Sequence, residues 1–152
     1  MKINRHINKV AVVGSGIMGS RIACHFANIG VEVLLLDIVP FDLTKEQLKD
    51  ITIRNSIVND ALKSTLKSKP SPIYSKEFAS RITTGNLDDD LHKIADVDWI
   101  IEVVVERLDI KKQVFEKIEK FRTDGTLISS NTSGIPIESM IDGRSDDFKA
   151  HF

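Results

Sequence analysis

The sequence predicts a doubly wound α/β domain, in which helices cover both faces of a parallel sheet. Two observations lead to this fold class. Short apolar runs alternate with amphipathic segments along the chain, and the first apolar run ends in a glycine-rich turn. The 152 residues suffice for about one domain with a sizeable core. With 41% hydrophobic and 28% charged residues, the composition is that of an ordinary soluble globular protein.

The first three predicted elements form a strand–helix–strand unit. Residues 9–14 (KVAVVG) are a buried strand, and residues 31–37 (VEVLLLD) are a second one. Between them, residues 17–29 form a helix that Gly30 closes. Its apolar positions are Ile17, Ala23, Cys24, Phe26 and Ala27. Because the unit fits within about 30 residues, its two strands are parallel.

A helical excursion is predicted after the second strand. Residues 44–67 carry apolar side chains at helical spacing, with mostly lysines opposite, and two prolines in residues 68–75 end the segment. The segment is long for a minimal crossover, so we interpret it as an insertion. Its apolar positions are Leu48, Ile51, Ile57, Val58, Ala61, Leu62 and Leu66.

Three further strands complete the predicted sheet, at residues 80–85, 99–105 and 126–131. The intervening segments are an acidic helix or turn at 87–96 and an amphipathic helix at 108–121, and a short helix follows at 135–141. Ligands of such sheets bind at the carboxyl ends of the strands. Those ends are marked here by Gly14, Asp37, Glu106 and residues 131–133.

Charge and composition exclude several classes of partner. The 21 basic and 22 acidic side chains give a net charge of −1, which argues against nucleic acid or an acidic membrane surface. No apolar run approaches the ~18 residues that span a bilayer, and the amino terminus lacks the apolar region of a signal peptide. The single Cys24 is expected to be a buried free thiol. We therefore expect a cytoplasmic protein with no membrane partner and no metal site.

The segment GSGIMG, residues 14–19, predicts a dinucleotide site. Gly14 permits a tight turn, Gly16 lets the backbone approach a pyrophosphate, and Gly19 lets the helix pack close to the strand. The amino end of the helix then offers N–H groups and a positive dipole to the phosphates. The motif follows a strand and opens a helix, so a glycine turn without a ligand is the less favoured interpretation.

Asp37 indicates the choice of cofactor. It lies 18 residues after Gly19, where a carboxylate can accept hydrogen bonds from the adenosine ribose hydroxyls. Its charge would repel a 2′-phosphate, and residues 38–41 supply no arginine, so NAD is predicted over NADP. In the alternative, Lys45 or Arg54 folds back to bind that phosphate.

Two further polar groups follow strands. The plainer interpretation of Glu106 and Lys111 is a strand-end carboxylate and a solvated helix lysine. The segment SSNTSG, residues 129–134, contains five small polar residues that are poor core material but suit hydrogen bonding to a ligand. A turn or a helix N-cap at Ser133 is the alternative.

Taken together, residues 10–37, 100–118 and 129–137 resemble the NAD-binding domain of the 3-hydroxyacyl-CoA dehydrogenases of fatty-acid β-oxidation. The methionine in GIMG, the Glu-x4-Lys pair at 106 and 111, and the SNTS segment are typical of that family. The resemblance implies a Rossmann fold, NAD as cofactor and an acyl-CoA substrate in the full-length enzyme. The length of the excursion is most similar to the large multidomain bacterial members that carry an enoyl-CoA hydratase unit.

The resemblance also implies residue roles. Met18 and the glycine loop would lie over the pyrophosphate, Asp37 would hold the adenosine ribose, and Glu106 with its strand-end neighbours would line the path to the nicotinamide ribose. Lys111 would lie near the nicotinamide and the substrate, and Ser133, the predicted catalytic residue in this chain, would bond the substrate 3-oxygen. The implied cofactor-binding residues are Gly14, Ser15, Gly16, Ile17, Met18, Gly19, Asp37, Val104, Val105, Glu106, Lys111, Asn131 and Ser133.

His151 is not predicted to be the catalytic base. The base of the family is a histidine in a G-x-H-F-F-N-P segment, whereas Lys149 stands where the glycine is required, and only 18 residues separate Ser133 from His151. We expect the base and a helical domain to lie beyond residue 152, so that residues 1–152 are a truncated NAD-binding domain with negligible turnover. His6, His25 and His92 are expected to be exposed or structural.

Two other functions stay open at this point. One is a two-domain NAD-dependent dehydrogenase of a small hydroxy acid or sugar acid, and the other is a non-enzymatic module that senses NAD(H). The acyl chain length, the oligomeric state, including a homodimer formed through the further domain, and the attachment of a hydratase unit are not determined by the sequence.

Overall fold

The computed structural model describes residues 6–152 and contains a five-stranded sheet in the order β3-β2-β1-β4-β5. All four strand pairings are parallel. The strands are β1 (Lys9–Val13), β2 (Glu32–Asp37), β3 (Ile82–Asn86), β4 (Trp99–Glu102) and β5 (Leu127–Ser130). This order confirms the doubly wound class, with the reversal of strand order between β1 and β4.

Six α-helices connect or follow these strands in the described part of the chain. They are α1 (Ile17–Asn28), α2 (Ile51–Arg54), α3 (Ser56–Lys67), α4 (Leu108–Phe121), α5 (Ile137–Ile141) and α6 (Asp146–Ala150). Turns of 3₁₀ helix lie at Gln47–Lys49, Lys76–Arg81 and Leu91–Asp96. The helix α6 was not predicted. Within residues 6–152, none of the helices has the length and apolarity needed to cross a membrane.

Two apolar clusters, one on each face of the sheet, form the core. Alternate residues of each central strand point to opposite faces of the sheet. Helices cover both faces, so the side chains on both sides of these strands are buried. The cluster between the sheet and α4 includes Ala11, Val13, Leu34, Leu36, Ile100, Phe115, Ile118 and Phe148. The cluster between the sheet and the helices α1 and α3 includes Val10, Val12, Cys24, Val33, Leu35, Val58 and Ile101. Cys24 is a buried free thiol, as expected, and burial raises its pKa.

The predicted continuous helix at 44–67 is wrong. The structure divides this segment into a 3₁₀ turn, α2 and α3, because the Asp50 side chain accepts a hydrogen bond from the Thr52 amide and starts a new helix. Leu48 and Ile51 are 44% and 53% exposed, so their apolar spacing does not reflect burial. The buried residue of α3 is Val58.

Two strands have a boundary that differs from the prediction by two or more residues. β3 starts two residues later than expected, because residues 76–81 form a 3₁₀ turn. β4 ends at Glu102 rather than at residue 105. There the Glu102 side chain accepts a hydrogen bond from the Val104 amide at 2.7 Å, which takes the backbone out of the sheet. The chain from Val103 onward is therefore a loop at the carboxyl edge.

Candidate functional site

The carboxyl ends of the central strands meet along one edge of the sheet. Backbone hydrogen bonds continue one residue past the strands: the Gly14 amide donates to Leu36, and the Val103 amide donates to Val13, both at 2.8 Å. The Asn131 amide likewise donates to the backbone carbonyl oxygen of Glu102 at 2.7 Å. The loops after β1, β4 and β5 therefore start side by side, on both sides of the reversal in strand order, where a ligand of such a sheet binds.

The three glycines of the first loop have different surroundings. Gly14 has φ +107°, and a Cβ there would lie 2.5 Å from the Val103 carbonyl oxygen. A Cβ on Gly19 would lie 1.8 Å from the Gly14 carbonyl oxygen. By contrast, a Cβ on Gly16 would have no described atom within 4 Å. The fold itself therefore requires Gly14 and Gly19, whereas Gly16 leaves an open approach to the backbone that fits a pyrophosphate.

The amino end of α1 is the second feature that fits an anion. Gly16 is its N-cap, and within the described chain no side chain caps this end and no acidic residue lies in the first turn. Its N–H groups and positive dipole end thus face the open space beside Gly16. Ile17 and Met18 are 79% and 52% exposed at this turn. Ile17, one of the apolar positions of the predicted helix, therefore does not contribute to the core.

Asp37 connects the end of β2 to the glycine turn. Its Oδ2 accepts hydrogen bonds from the amide and hydroxyl of Ser15, at 2.6 Å and 2.5 Å, and its Oδ1 accepts one from the Ile38 amide. Ser15 is 1% exposed, so its hydroxyl serves the turn. The carboxylate is thereby fixed next to the glycine turn, where it can also accept bonds from a ribose.

The alternative in which Arg54 binds a 2′-phosphate does not fit the structure. The Arg54 Nε and Nη2 atoms donate to both oxygens of Asp89, at 2.7 Å and 2.8 Å. Asp89 in turn is held by the buried Asn86 at the end of β3, beside Asp37 in the sheet register. The guanidinium is therefore committed to a bidentate ion pair. Lys45 is exposed.

A buried ion pair lies beneath the loop after β4. The Lys111 Nζ lies 2.9 Å from each carboxylate oxygen of Glu102, and both side chains are 0% exposed. The Ser130 hydroxyl donates to Glu102 Oε2. The interpretation of Lys111 as a solvated helix lysine is therefore wrong. We did not predict Glu102 as a site residue, although a carboxylate inside the apolar run 99–105 must have a buried partner and was a usable signal.

Glu106 joins this pair to the loop after β5. Its Oε2 lies 3.4 Å from Lys111 Nζ. Its Oε1 accepts hydrogen bonds from the Thr132 hydroxyl at 2.6 Å and from the Ser133 and Gly134 amides at 3.1 Å and 3.2 Å. These bonds, that of Thr132 above all, lower the pKa of Glu106 to about 2. Glu106 is therefore a carboxylate at every physiological pH.

The structure places the remaining predicted residues around the same edge. Asn131 and Ser133 are exposed, Val105 is 62% exposed, and Val104 is half-buried. The alternative role of Ser133 as a helix N-cap is wrong, because Pro136 is the N-cap of α5. The hydroxyl of Ser133 is thus presented on a loop whose backbone Glu106 holds.

His151 lies away from this edge. Its Nδ1 is 2.7 Å from the carbonyl oxygen of Asp147, and its own carbonyl accepts a hydrogen bond from the Ile128 amide in β5. Asp147 also bonds to Arg122 and to the Gly125 amide, both in the segment that leads into β5. His6, His25 and His92 are exposed. Within residues 6–152, no group of three His, Cys, Asp or Glu side chains could hold a metal ion.

Comparison with known proteins adds independent information about the family of this chain. A family model described as "3-hydroxyacyl-CoA dehydrogenase, NAD binding domain" matches residues 9–152. A probable 3-hydroxyacyl-CoA dehydrogenase of Bacillus subtilis is 53% identical over 156 residues, which cover 99% of this chain and 20% of that protein. A protein of the same description from Deinococcus radiodurans is 44% identical, over 96% of this chain and 40% of its own length.

A solved structure shows the same fold. The crystal structure of 3-hydroxybutyryl-CoA dehydrogenase from Escherichia coli aligns with a TM-score of 0.65 and 27% identity. The alignment covers 94% of this chain and 28% of that one. The chain thus spans less than half the length of each of these relatives.

Proposed function

Because the chain belongs to the 3-hydroxyacyl-CoA dehydrogenase family as an NAD-binding domain, we propose that it holds NAD for the oxidation of an (S)-3-hydroxyacyl-CoA to the 3-oxoacyl-CoA. The observation that carries the proposal is the contrast among the glycines of the first loop. Gly14 and Gly19 have no space for a side chain, whereas Gly16 faces open space at the start of α1. A bound pyrophosphate, which needs close approach to the backbone, gives a reason for the glycine at position 16.

The cofactor would lie across the carboxyl edge. The pyrophosphate would rest on the backbone of residues 14–19, and Asp37 would accept hydrogen bonds from the adenosine ribose. The nicotinamide end would then face Val104, Val105 and Glu106 after β4, with Lys111 beneath them. Asn131 and Ser133 would complete this wall from the loop after β5. The bound cofactor supplies the hydride acceptor, and the chain supplies its position.

The substrate would approach the same wall. The hydroxyl of Ser133 is exposed, while its amide is tied to Glu106, so it can be presented to the 3-oxygen of an acyl-CoA in one orientation. The proton of the 3-hydroxyl would pass to a histidine outside residues 1–152. His151 does not serve this role, because the carbonyl oxygen of Asp147 in α6 holds its ring. A histidine suits this step, since its ordinary pKa lies near neutral pH.

The proposal also covers the cellular location of the protein and its binding partners. We propose a cytoplasmic location, for which the buried free thiol of Cys24 fits a reducing compartment. The proposed partners are an acyl-CoA substrate and a second copy of the longer protein, joined through a domain outside residues 1–152.

The test is the turnover of the longer protein that contains this chain. We expect NADH formation with (S)-3-hydroxybutyryl-CoA or a longer acyl-CoA, and a Ser133→Ala variant whose kcat falls by about 10²-fold, as for loss of one hydrogen-bond donor to a developing oxyanion. Turnover of small hydroxy acids without turnover of acyl-CoA would indicate a different dehydrogenase. Binding of NADH without turnover of either class would indicate a sensor.

A further inference from the structure

We propose that Glu102 is a positioning residue for the nicotinamide end of the site, acting through Lys111 and Glu106 on the loop that carries Ser133. The inference rests on the proposed function, which assigns that end to the loops after β4 and β5. Glu102 itself touches neither cofactor nor substrate, because its side chain is 0% exposed.

The contacts of Glu102 hold three separate elements together. As the last residue of β4, it accepts a hydrogen bond from the Val104 amide and one from the Ser130 hydroxyl at the end of β5. Its two oxygens also receive Lys111 from α4. In the part of the chain that the structure describes, no buried side-chain nitrogen or oxygen lacks a partner. A buried ion pair of this kind adds little net stability over a well-packed apolar pair, so its positional role is the informative one.

Lys111 connects the fixed Glu102 carboxylate to Glu106. An ammonium group has three N–H donors, and the two Glu102 oxygens at 2.9 Å constrain its orientation. On another side, Nζ lies 3.4 Å from Glu106 Oε2. Lys111 therefore bridges a carboxylate that is fully buried and one that is 42% exposed.

Glu106 then fixes the loop after β5. With Oε2 directed at Lys111, its Oε1 accepts three hydrogen bonds, from the Thr132 hydroxyl and from the Ser133 and Gly134 amides. If Glu102 loses its charge, Lys111 is left with Glu106 as its single carboxylate partner and is drawn towards it. The geometry of Glu106 and of the three donors on the loop then changes.

This chain of contacts predicts an effect at one end of the cofactor only. The adenosine and phosphate positions are assigned to Asp37 and to residues 14–19, and the hydrogen-bond partners of the Glu102 side chain, which are Val104, Ser130 and Lys111, are not among these residues. ADP contains the adenosine and both phosphates but lacks the nicotinamide riboside. A change at Glu102 should therefore weaken NADH binding and leave ADP binding intact.

The experiment measures NADH and ADP binding to the 152-residue chain by isothermal titration calorimetry. We expect Glu102→Gln to weaken NADH about tenfold, the equivalent of one lost hydrogen bond, with ADP within about twofold of the wild type. The matched control is Lys120→Gln, which breaks the exposed pair with Glu116 on the same helix and should change neither affinity. Ser130→Ala removes the hydroxyl contact to Glu102 and serves if Glu102→Gln does not fold.

A second readout needs no ligand. In ¹H–¹⁵N spectra, Glu102→Gln should shift the amide resonances of Ser133 and Gly134 but leave that of Ser15 in place. Equal weakening of NADH and ADP, unchanged NADH binding, or unshifted Ser133 and Gly134 amides in a folded variant would each overturn the inference. A wild-type chain that binds neither NADH nor ADP would contradict the proposed function instead, and the amide shifts would still decide the role of Glu102.

Discussion

The carbonyl oxygen of Gly14 lies 1.8 Å from the position that a Cβ on Gly19 would occupy. Because Gly19 has no side chain, the first turn of α1 packs directly against the loop after β1. The amino end of the helix therefore lies at the carboxyl edge of the sheet. Gly16 lies between the two but touches nothing that a Cβ would displace. One motif therefore combines two glycines that the fold needs with one that a ligand needs.

Alanine at these two positions should separate folding from binding. Gly19→Ala is expected to lower the free energy of unfolding by about 3 kcal/mol or more, because its Cβ collides with backbone that cannot give way. Gly16→Ala should keep that free energy within about 1 kcal/mol of the wild type but weaken NADH binding at least about tenfold, since the added methyl group fills the approach of the pyrophosphate. Urea unfolding and NADH fluorescence titration measure the two effects. Wild-type NADH affinity in Gly16→Ala would contradict this account.

The Arg54–Asp89 ion pair predicts which substitutions would tighten the binding of NADPH. Asp37→Ala removes the charge that repels a 2′-phosphate but leaves Arg54 bound to Asp89. Adding Asp89→Asn should free the guanidinium and tighten NADPH binding about tenfold relative to Asp37→Ala alone, the usual contribution of a hydrogen bond to a charged group. NADPH titrations of the two variants measure this gain. Adding Arg54→Gln should abolish it, and equal NADPH affinity with and without Asp89→Asn would refute the prediction.

Glu106 predicts a pH dependence at acid pH. Its pKa is about 2 in the folded chain, whereas the ordinary value for a glutamate is 4.5, so the unfolded state binds the proton more readily. The contribution of Glu106 to stability is therefore complete above about pH 4.5 and is lost as the pH falls towards 2. The difference in unfolding free energy between the wild type and Glu106→Gln should shrink across this window. A difference that is constant from pH 6 to pH 3 would show that the carboxylate is not held by its loop.

The hydroxyl of Thr132 is the largest cause of that lowered pKa. Thr132→Val keeps the shape of the side chain and removes the donor to Glu106 Oε1. We expect it to raise the pKa of Glu106 towards the ordinary value, as measured by carbon NMR titration of the carboxyl group. Ser139→Ala, on the neighbouring helix α5, is the control and should leave this pKa unchanged.

The sheet and its ligand edge could be predicted because each strand carries its own signal. β1, β2 and the start of β4 are apolar runs buried on both faces, and the acidic or small polar residues that follow them mark where the chain leaves the core. The helix α1 between β1 and β2 is a crossover connection, which brings the chain back in the same direction and makes the two strands parallel. The roles predicted for Asp37 and Gly16 rest on the same strand–helix–strand unit, residues 9–37, and stay predictions.

Features that depend on distant residues were missed. The burial of Lys111 is set by Glu102 and Ser130, which reach it from two strands, and helical spacing alone places a lysine on the solvent side. At the boundary between α2 and α3, the Asn55 side chain accepts a hydrogen bond from the side-chain amide of Asn86, which is 31 residues away in β3. The helix α6 is short and is fixed mainly by Phe148, which packs on Phe115 of α4.

The most direct measurement is a fluorescence titration of the 152-residue chain with NADH and with NADPH, alongside Asp37→Ala. We predict saturable NADH binding, weaker NADPH binding, and a loss of about 10- to 100-fold in NADH affinity on removal of the Asp37 carboxylate, as for one charged hydrogen bond. NADPH binding as tight as NADH, or an Asp37→Ala variant with wild-type NADH affinity, would contradict the assignment of the adenosine ribose to Asp37.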